Sequence, residues 1–226
     1  ATQLGLHGIP DLAEKIIIER DLSLLEDFNC RYHISQISTS KSVDAIERKK
    51  DIVNFTTGVS INNLSLNEND VGDFRTFLKL SPPLRTEEDR ISLIKAINKD
   101  LIDVIVSDHK PEDEESKRLT FSQAAAGASG IETLLPLALE LFHNDSIKLF
   151  KLIKLLTSNP AKILKINKGN LSIGNDADLC IVDIYKPWIV KKEKIVSKSK
   201  NTSIDDKKLQ GQVLSTFVKG EELFKI

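Results

Sequence analysis

The sequence has few of the residues and patterns that mark several classes of protein. Its 226 residues include two cysteines, Cys30 and Cys180, which are too few and too far apart to predict a disulfide framework or a zinc knuckle. The 32 basic residues are matched by 33 acidic ones, so no positive surplus favours nucleic acid or an anionic membrane as a partner. No apolar run approaches the ~20 residues of a membrane-spanning helix. We therefore expect a cytoplasmic protein with neither of these partners.

The composition is that of a globular protein with a core. Hydrophobic residues make up 40% of the chain and charged residues 29%. The length fits one large domain, or one domain and a small annex. Because the sequence contains no methionine, we expect it to begin partway through a longer protein.

Residues 1–166 alternate predicted strands with predicted helices. The strand candidates are residues 31–37, 53–60, a weaker 77–80, and 102–108. The helix candidates are residues 10–29, 40–50, 86–101, 131–143, 146–156 and 159–166. The helix that Thr86 opens has a predicted buried stripe of Ile91, Ile94, Ile97 and Leu101, and Asn159-Pro160 is predicted to cap the last helix. The strand at 102–108 is almost continuously apolar, which is typical of a parallel strand covered on both faces.

Residues 167–226 have a different pattern. Residues 179–182 and 212–218 are β-like, and the Lys- and Ser-rich residues 191–208 between them are predicted to form a solvated loop. The sequence therefore predicts an α/β fold in which a parallel layer over residues 1–166 is followed by a β domain over residues 167–226.

Polar side chains follow the predicted strands at three places. These places are His33 to Gln36, Asn62-Asn63, and Asp108-His109. In barrels of β/α units the catalytic groups lie at the carboxyl ends of strands, and a carboxylate there binds a metal or accepts a proton. The alternative for Asp108 is that it only caps the loop after its strand, because Asp is a common turn residue.

Short segments along almost the whole chain resemble, in order, the motifs of dihydroorotase, a member of the cyclic-amidohydrolase superfamily. They are LGLHGIP at 4–10, YHISQIST at 32–39, SINNLSL at 60–66, SPPLR at 81–85, SDHKPE at 107–112, GASGIET at 127–133, NPA at 159–161, GNDADL at 174–179 and GQV at 211–213. Each match alone is weak, and their common order carries the assignment.

The resemblance implies the C-terminal half of a TIM-type (β/α)8 metal-dependent hydrolase barrel. Residues 1–166 would hold strands equivalent to 5–8, and residues 167–226 part of a small β-sandwich-like domain. The family hydrolyses or closes the ring of dihydroorotate and carbamoyl aspartate in pyrimidine biosynthesis, with zinc activating a water. Asp108 would be metal ligand and catalytic proton shuttle, and Ser81, Arg85 and Glu112 would be substrate-binding positions. The family's HxHxR strand would precede Ala1.

The sequence departs from the family at the positions of metal ligands and substrate contacts. Gln36 and Asn62 occupy positions where the family has metal-binding histidines, and amide side chains are unlikely zinc ligands because they lack the imidazole lone pair. Ser81 replaces a substrate-contacting Asn, and Glu112 replaces a histidine that meets the substrate carboxylate, where an anion would repel it. His33 and His109 match family residues, but a structural role is favoured for both.

Three interpretations follow. The first is part of an active zinc-dependent dihydroorotase with a small-molecule substrate. The second, which we favour, is a catalytically degenerate scaffold that partners aspartate transcarbamoylase or associates with itself. The third is a one-metal amidohydrolase acting on a neutral or cationic cyclic amide, where Glu112 would contact a positive group.

Overall fold

The computed structural model describes residues 4–28 and 30–226. Residues 1–3 and Asn29, the predicted end of the first helix, lie outside the described residues. No helix in the described part of the chain is both long and apolar enough to cross a membrane.

Three parallel strands form the sheet of the first unit. They are β1 (Tyr32–Ile37), β2 (Phe55–Ser60) and β3 (Val104–Val106), in the order β1-β2-β3. Both strand pairs are parallel, so the three carboxyl ends lie at the same edge of the sheet. The predicted α/β parallel layer is confirmed.

The sheet requires a glycine where β1 and β2 approach each other. A Cβ at Gly58 would lie 2.3 Å from the backbone oxygen of Ser35 and 3.1 Å from Cγ2 of Val104. A real Cβ is not found this close to a backbone oxygen, so only glycine fits here without moving a strand.

Helices alternate with the strands as far as β3, and four more helices follow β3 in succession. They are α1 (Asp11–Asp27), α2 (Ser40–Lys49), α3 (Ile61–Ser65), α4 (Glu87–Asn98), α5 (Glu114–Arg118), α6 (Leu134–His143), α7 (Leu149–Leu156) and α8 (Ser158–Leu164). The core joins Leu22 of α1, Ile46 of α2 and Leu139 of α6 to Ile37 and Val59 of the sheet, and all five are fully buried.

The loop before α2 is ordered by one carboxylate of α1. Glu14 accepts hydrogen bonds from the backbone N–H of Ser38 (2.8 Å) and from the hydroxyls of Ser38 (2.5 Å) and Ser42 (2.6 Å). Arg85 Nε donates to the Ser38 hydroxyl (3.0 Å) from the other side. Charge-assisted bonds of this kind fix the turn that follows the carboxyl end of β1.

The weak strand prediction at 77–80 is wrong. A 3-10 helix, Thr76–Leu78, occupies this place and buries Leu78. Pro82 and Pro83 follow it and have no N–H to donate, so the segment cannot extend a central strand. The described residues therefore contribute three strands to this sheet, where the prediction had about four.

The predicted stripe of α4 is also wrong in part. Leu93, Ala96 and Ile97 are buried, whereas Ile91 is exposed. Of the predicted stripe, Ile97 and Leu101 are buried and Ile94 packs against the core. The buried face also contains Asp89, which accepts a hydrogen bond from the backbone N–H of Ser40 in α2 (2.7 Å).

Asn159 does not cap α8 as predicted. The cap position is Thr157, and Asn159 lies inside the helix, where its Nδ2 donates to the backbone oxygen of Asp103 (2.8 Å). The helix begins at Ser158, one residue earlier than predicted, and only Thr157 separates it from α7.

A second unit is an antiparallel sheet of three strands, β4 (Leu179–Ile189), β5 (Lys208–Val218) and β6 (Glu221–Lys225), in that order. It packs on α6: a Cβ at Gly211, whose φ is +104°, would lie 2.3 Å from Cδ1 of Leu139. The prediction of β structure after residue 167 is confirmed, with both strands longer than expected.

The prediction of a solvated loop at 191–208 is wrong for its second half. Lys191 to Lys194 are exposed, but Asn201, Thr202, Ser203 and Ile204 are buried. We call residues 199–204 the strap. It lies against the first unit, where Thr202 forms a parallel bridge with Ser129. The four buried residues carry no charge, and this is the one sequence signal that distinguishes them from the Lys-rich residues before them.

Candidate active site

Two of the three predicted site positions meet at the carboxyl edge of the parallel sheet. Gln36 lies near the end of β1, and Asp108 follows β3 by two residues. The amide nitrogen Nε2 of Gln36 donates a hydrogen bond to Oδ1 of Asp108 at 3.1 Å. The parallel strands thus bring together residues that are 72 positions apart in the sequence.

Asp108 has the backbone and the environment of a site residue. Its φ of +48° lies in the left-handed region, which Asp tolerates better than most residues. Burial raises the pKa of its carboxyl, and the hydrogen bond from Gln36 and the charge of Lys110 oppose this rise. A carboxyl held in this way can exchange a proton with a bound molecule.

Gln36 presents the wrong atom to Asp108 for a shared metal. Its amide nitrogen points at the carboxylate, and its Oε1 is buried with no hydrogen-bond partner in the described residues. An amide nitrogen only donates hydrogen bonds, because its lone pair is delocalised into the carbonyl, so it has none to share with a cation beside the carboxylate.

Asn62 is committed to the strap. It lies in α3 just after β2 and is 3% exposed. Its Oδ1 accepts a hydrogen bond from the Ser203 hydroxyl at 2.9 Å, and its Nδ2 contacts the Ser60 hydroxyl at 3.4 Å. Sequence reasoning missed Ser203 because it assigned this part of the chain to solvent.

The two predicted histidines have structural partners. Nδ1 of His109 accepts hydrogen bonds from the N–H groups of Gly130 (3.1 Å) and Ile131 (3.4 Å), so the ring carries its proton on Nε2. His33 lies in the first half of β1, where its Nδ1 contacts the Thr56 hydroxyl at 2.7 Å and burial lowers its pKa. His33 is therefore not at the carboxyl edge with Gln36 and Asp108.

The three predicted substrate positions have different surroundings. Arg85 donates from Nη1 to the backbone oxygen of Ile9 (2.5 Å), in addition to its bond with Ser38. Ser81 is exposed. Glu112 lines a groove of about 720 Å³ between the loop before α5 and the strap. Its backbone oxygen accepts a hydrogen bond from the Ser199 hydroxyl at 2.7 Å.

The residues present do not fit zinc. The described part of the chain contains no group of three or more His, Cys, Asp or Glu side chains that could hold a metal ion. At the two positions where the resemblance implies histidine, one amide donates to Asp108 and the other bonds Ser203. Zinc sites in enzymes use three protein ligands, and of these positions only Asp108 offers one.

Comparison with known proteins gives the same family along the chain. The model of the Amidohydrolase family matches residues 5–223. Dihydroorotase of Ehrlichia canis is 40% identical over 224 residues, which are 98% of this chain and 50% of that protein. Dihydroorotase of Desulforapulum autotrophicum is 36% identical over 226 residues, 100% of this chain and 53% of that protein. The chain thus spans about half the length of the curated relatives it matches.

Solved structures show the same fold. L-hydantoinase (dihydropyrimidinase) from Arthrobacter aurescens superposes with a TM-score of 0.90 at 28% identity, over 96% of this chain and 49% of that one. Dihydropyrimidinase from Brevibacillus agri has a TM-score of 0.89 at 21% identity, also over 96% of this chain and 49% of that one, and shows the fold alone. By the family model and the curated relatives together, the chain belongs to the amidohydrolase family and is dihydroorotase-like.

Proposed function

We propose that the chain is the C-terminal half of a dihydroorotase-like (β/α)8 barrel of pyrimidine biosynthesis. Residues 1–166 supply three of the strand positions equivalent to 5–8, and residues 167–226 supply part of a small β-sandwich-like domain. The half-length match to dihydroorotases supports this assignment. The exposed, free cysteines Cys30 and Cys180 suit a reducing, cytoplasmic setting.

We further propose that this half has lost the metal-dependent chemistry and acts as a scaffold. The observation that carries this proposal is the hydrogen bond from the Gln36 amide to Asp108. It puts a donor where a metal would need a ligand, and Asn62 is engaged by Ser203 in a second such contact. A scaffold of this kind would act through a partner protein, with aspartate transcarbamoylase or a second copy of the chain as candidates.

A second candidate is part of an active dihydroorotase or a related cyclic amidohydrolase, and Asp108 is the observation in its favour. Its half-buried carboxyl, with a pKa raised by burial, is suited to accept and return a proton. Ser81, Arg85 and Glu112 remain the proposed substrate positions for a small molecule. With Glu112 at the groove, a neutral or cationic ring would be accepted more readily than an anionic one.

The test uses the complete gene product. Zinc content and hydrolysis of dihydroorotate are measured for the natural protein and for Asp108→Asn. The scaffold proposal expects neither stoichiometric zinc nor turnover. Zinc-dependent turnover that Asp108→Asn abolishes would establish the second candidate in its place.

A gain-of-binding variant sharpens the comparison. Gln36→His combined with Asn62→His puts imidazoles at the two positions where the resemblance implies them, and we expect zinc affinity to rise relative to the natural protein. Lys198→His on the exposed side of the chain is the matched control and should not bind more zinc. If the natural protein already binds zinc as tightly as the double variant, the amides are not what excludes the metal.

A further inference from the structure

The largest fully buried side chain in the described residues is a lysine. Lys117, near the end of α5, is 2% exposed. Lysine is almost never fully buried unless it is paired. The ammonium of Lys117 is paired with backbone oxygens and not with a carboxylate: Nζ donates to Ala125 O (2.8 Å), Thr76 O (3.0 Å) and Lys79 O (3.4 Å).

The number of partners matches the chemistry of the group. An ammonium has three N–H donors and no acceptor, and three carbonyl oxygens meet it. Burial lowers the pKa of Lys117 to about 8, Glu112 opposes this shift, and the charges of Lys79 and Lys110 add to it. The carbonyl oxygens thus replace the water molecules that would hydrate this cation, as a ring of carbonyls does for a metal ion in a selectivity filter.

The three carbonyls come from two segments, which are also joined by a hydrogen bond from Lys79 Nζ to the backbone oxygen of Ser122 (2.9 Å). Thr76 and Lys79 belong to the segment after α3, and Ala125 to the loop before α6. The Thr76 hydroxyl returns a hydrogen bond to the backbone oxygen of Lys117 (2.6 Å). Lys117 therefore lies at the junction of both loops with α5.

The same junction carries the strap. Gly127 N–H donates to Lys79 O (2.9 Å), and the Gly127 carbonyl accepts a hydrogen bond from Asn201 Nδ2 (3.1 Å). One residue further on, the carbonyl of Ala128 accepts a hydrogen bond from the N–H of Lys110 (2.9 Å), two residues after Asp108. The loop at 125–128 thus connects the Lys117 cage with both the strap and the carboxyl edge of the sheet.

We propose that Lys117 is a tethered cation in a carbonyl cage, a positioning residue that seats the strap and the 125–128 loop at the carboxyl edge. This role is independent of whether the site is catalytic. The proposal implies that the three carbonyl oxygens bind a primary ammonium group. In the natural protein the side chain of Lys117 supplies that group. The side chain is covalently attached, so the cage is filled without the entropy cost of binding a free ion.

The experiment is chemical rescue. Lys117→Ala removes the atoms of n-propylammonium and leaves a cavity of that shape. We expect the thermal midpoint of this variant to fall by roughly 5 °C or more. n-Propylammonium chloride should then restore at least half of that loss in a saturable manner, because binding to the folded state alone raises stability by mass action. 1-Propanol, tetramethylammonium chloride and sodium chloride at equal concentration should not.

Hydrogen exchange separates positioning from general stability. Amides of residues 125–128 and 199–204 should exchange roughly tenfold faster in Lys117→Ala, while those of β1 and α2 keep their rates. Lys198→Ala, which removes an exposed lysine next to the strap, is the matched control and should change neither region. If Lys117→Ala is insoluble, refolding yield with and without n-propylammonium is the readout, and Lys117→Met serves for the exchange measurement.

Two results would overturn the proposal. One is rescue by 1-propanol as effective as by n-propylammonium, which would show that only volume matters. The other is an equal increase in exchange across both sheets, which would show that Lys117 stabilises the fold without positioning the strap.

Discussion

The hydrogen bond between Asn62 and Ser203 should couple the strap to the end of β2 by a measurable free energy. Both residues are buried, with 3% of Asn62 and 5% of Ser203 exposed, and the bond is 2.9 Å long. A neutral hydrogen bond contributes about 1 kcal/mol net, and a buried partner left without a bond costs about 1–3 kcal/mol. Ser203→Ala should therefore lower the free energy of unfolding by about 1–2 kcal/mol. Asn62→Ala should lower it by about 1–3 kcal/mol, because it also removes the 3.4 Å contact with Ser60.

The double variant decides whether the two residues act through each other. Once either side chain is gone, removing the other should cost less. The loss of unfolding free energy in Asn62→Ala/Ser203→Ala should therefore be smaller than the sum of the two single losses by about 1 kcal/mol. Urea unfolding of the four proteins measures this, provided that the m-values agree. A control cycle combines Asn62→Ala with Ser23→Ala, a substitution at an exposed residue of α1, and the two losses of free energy should be additive. Additivity of Asn62 with Ser203 within about 0.5 kcal/mol would refute the idea that Asn62 has been recruited to hold the strap.

Three further predictions concern the frame around the site. Gly58→Ala should cost about 1–3 kcal/mol or prevent folding, because the new methyl group meets the Ser35 carbonyl at 2.3 Å; urea unfolding or soluble yield measures it, and a neutral result would show that the strands can separate. Glu14→Gln should cost about 2–4 kcal/mol, since an amide replaces the carboxylate that receives the Ser38 and Ser42 hydrogen bonds. Glu19→Gln, which weakens a partly exposed ion pair with Arg48, should change stability by about 1 kcal/mol or less. Tyr32 has its pKa raised to about 12 by burial and by its 2.6 Å hydrogen bond to Asp21, so its contribution to stability is complete below pH 10 and is lost as the pH rises from 10 to 12. Tyr32→Phe should remove that loss, and urea unfolding followed as a function of pH measures it; a pH dependence that is unchanged in Tyr32→Phe would contradict the prediction.

Elements with a strong local signal could be predicted from the sequence. The parallel strands, α1, α2 and the shift to β structure after residue 167 follow from apolar runs and turn residues. The exposure of Ile91 in α4 shows the limit, because apolar spacing could not reveal that the buried face also holds Asp89, which bonds the backbone of Ser40. Such a long-range hydrogen bond is not recorded in the spacing of apolar residues, which allows more than one buried face.

The candidate site shows the same division. The resemblance located Gln36, Asn62 and Asp108, and the structure shows the direct contact between Gln36 and Asp108. The sequence could not indicate Ser203 or Lys117, since both lie among charged residues that predict a solvated surface. Their burial depends on partners 141 positions away for Ser203 and on backbone oxygens for Lys117, which no side-chain pattern records.

The strap also sets the order in which the molecule can be completed during synthesis. Asn62 and the carbonyl of Gly127 leave the ribosome long before Asn201 and Ser203, their partners. A nascent chain that ends before residue 199 lacks the partners of Asn62 Oδ1 and of the Gly127 carbonyl, so these two acceptors have only water to bond. The strap therefore closes an edge of the α/β unit after that unit's own strands have been translated, which ties the completion of this edge to the synthesis of the segment between β4 and β5.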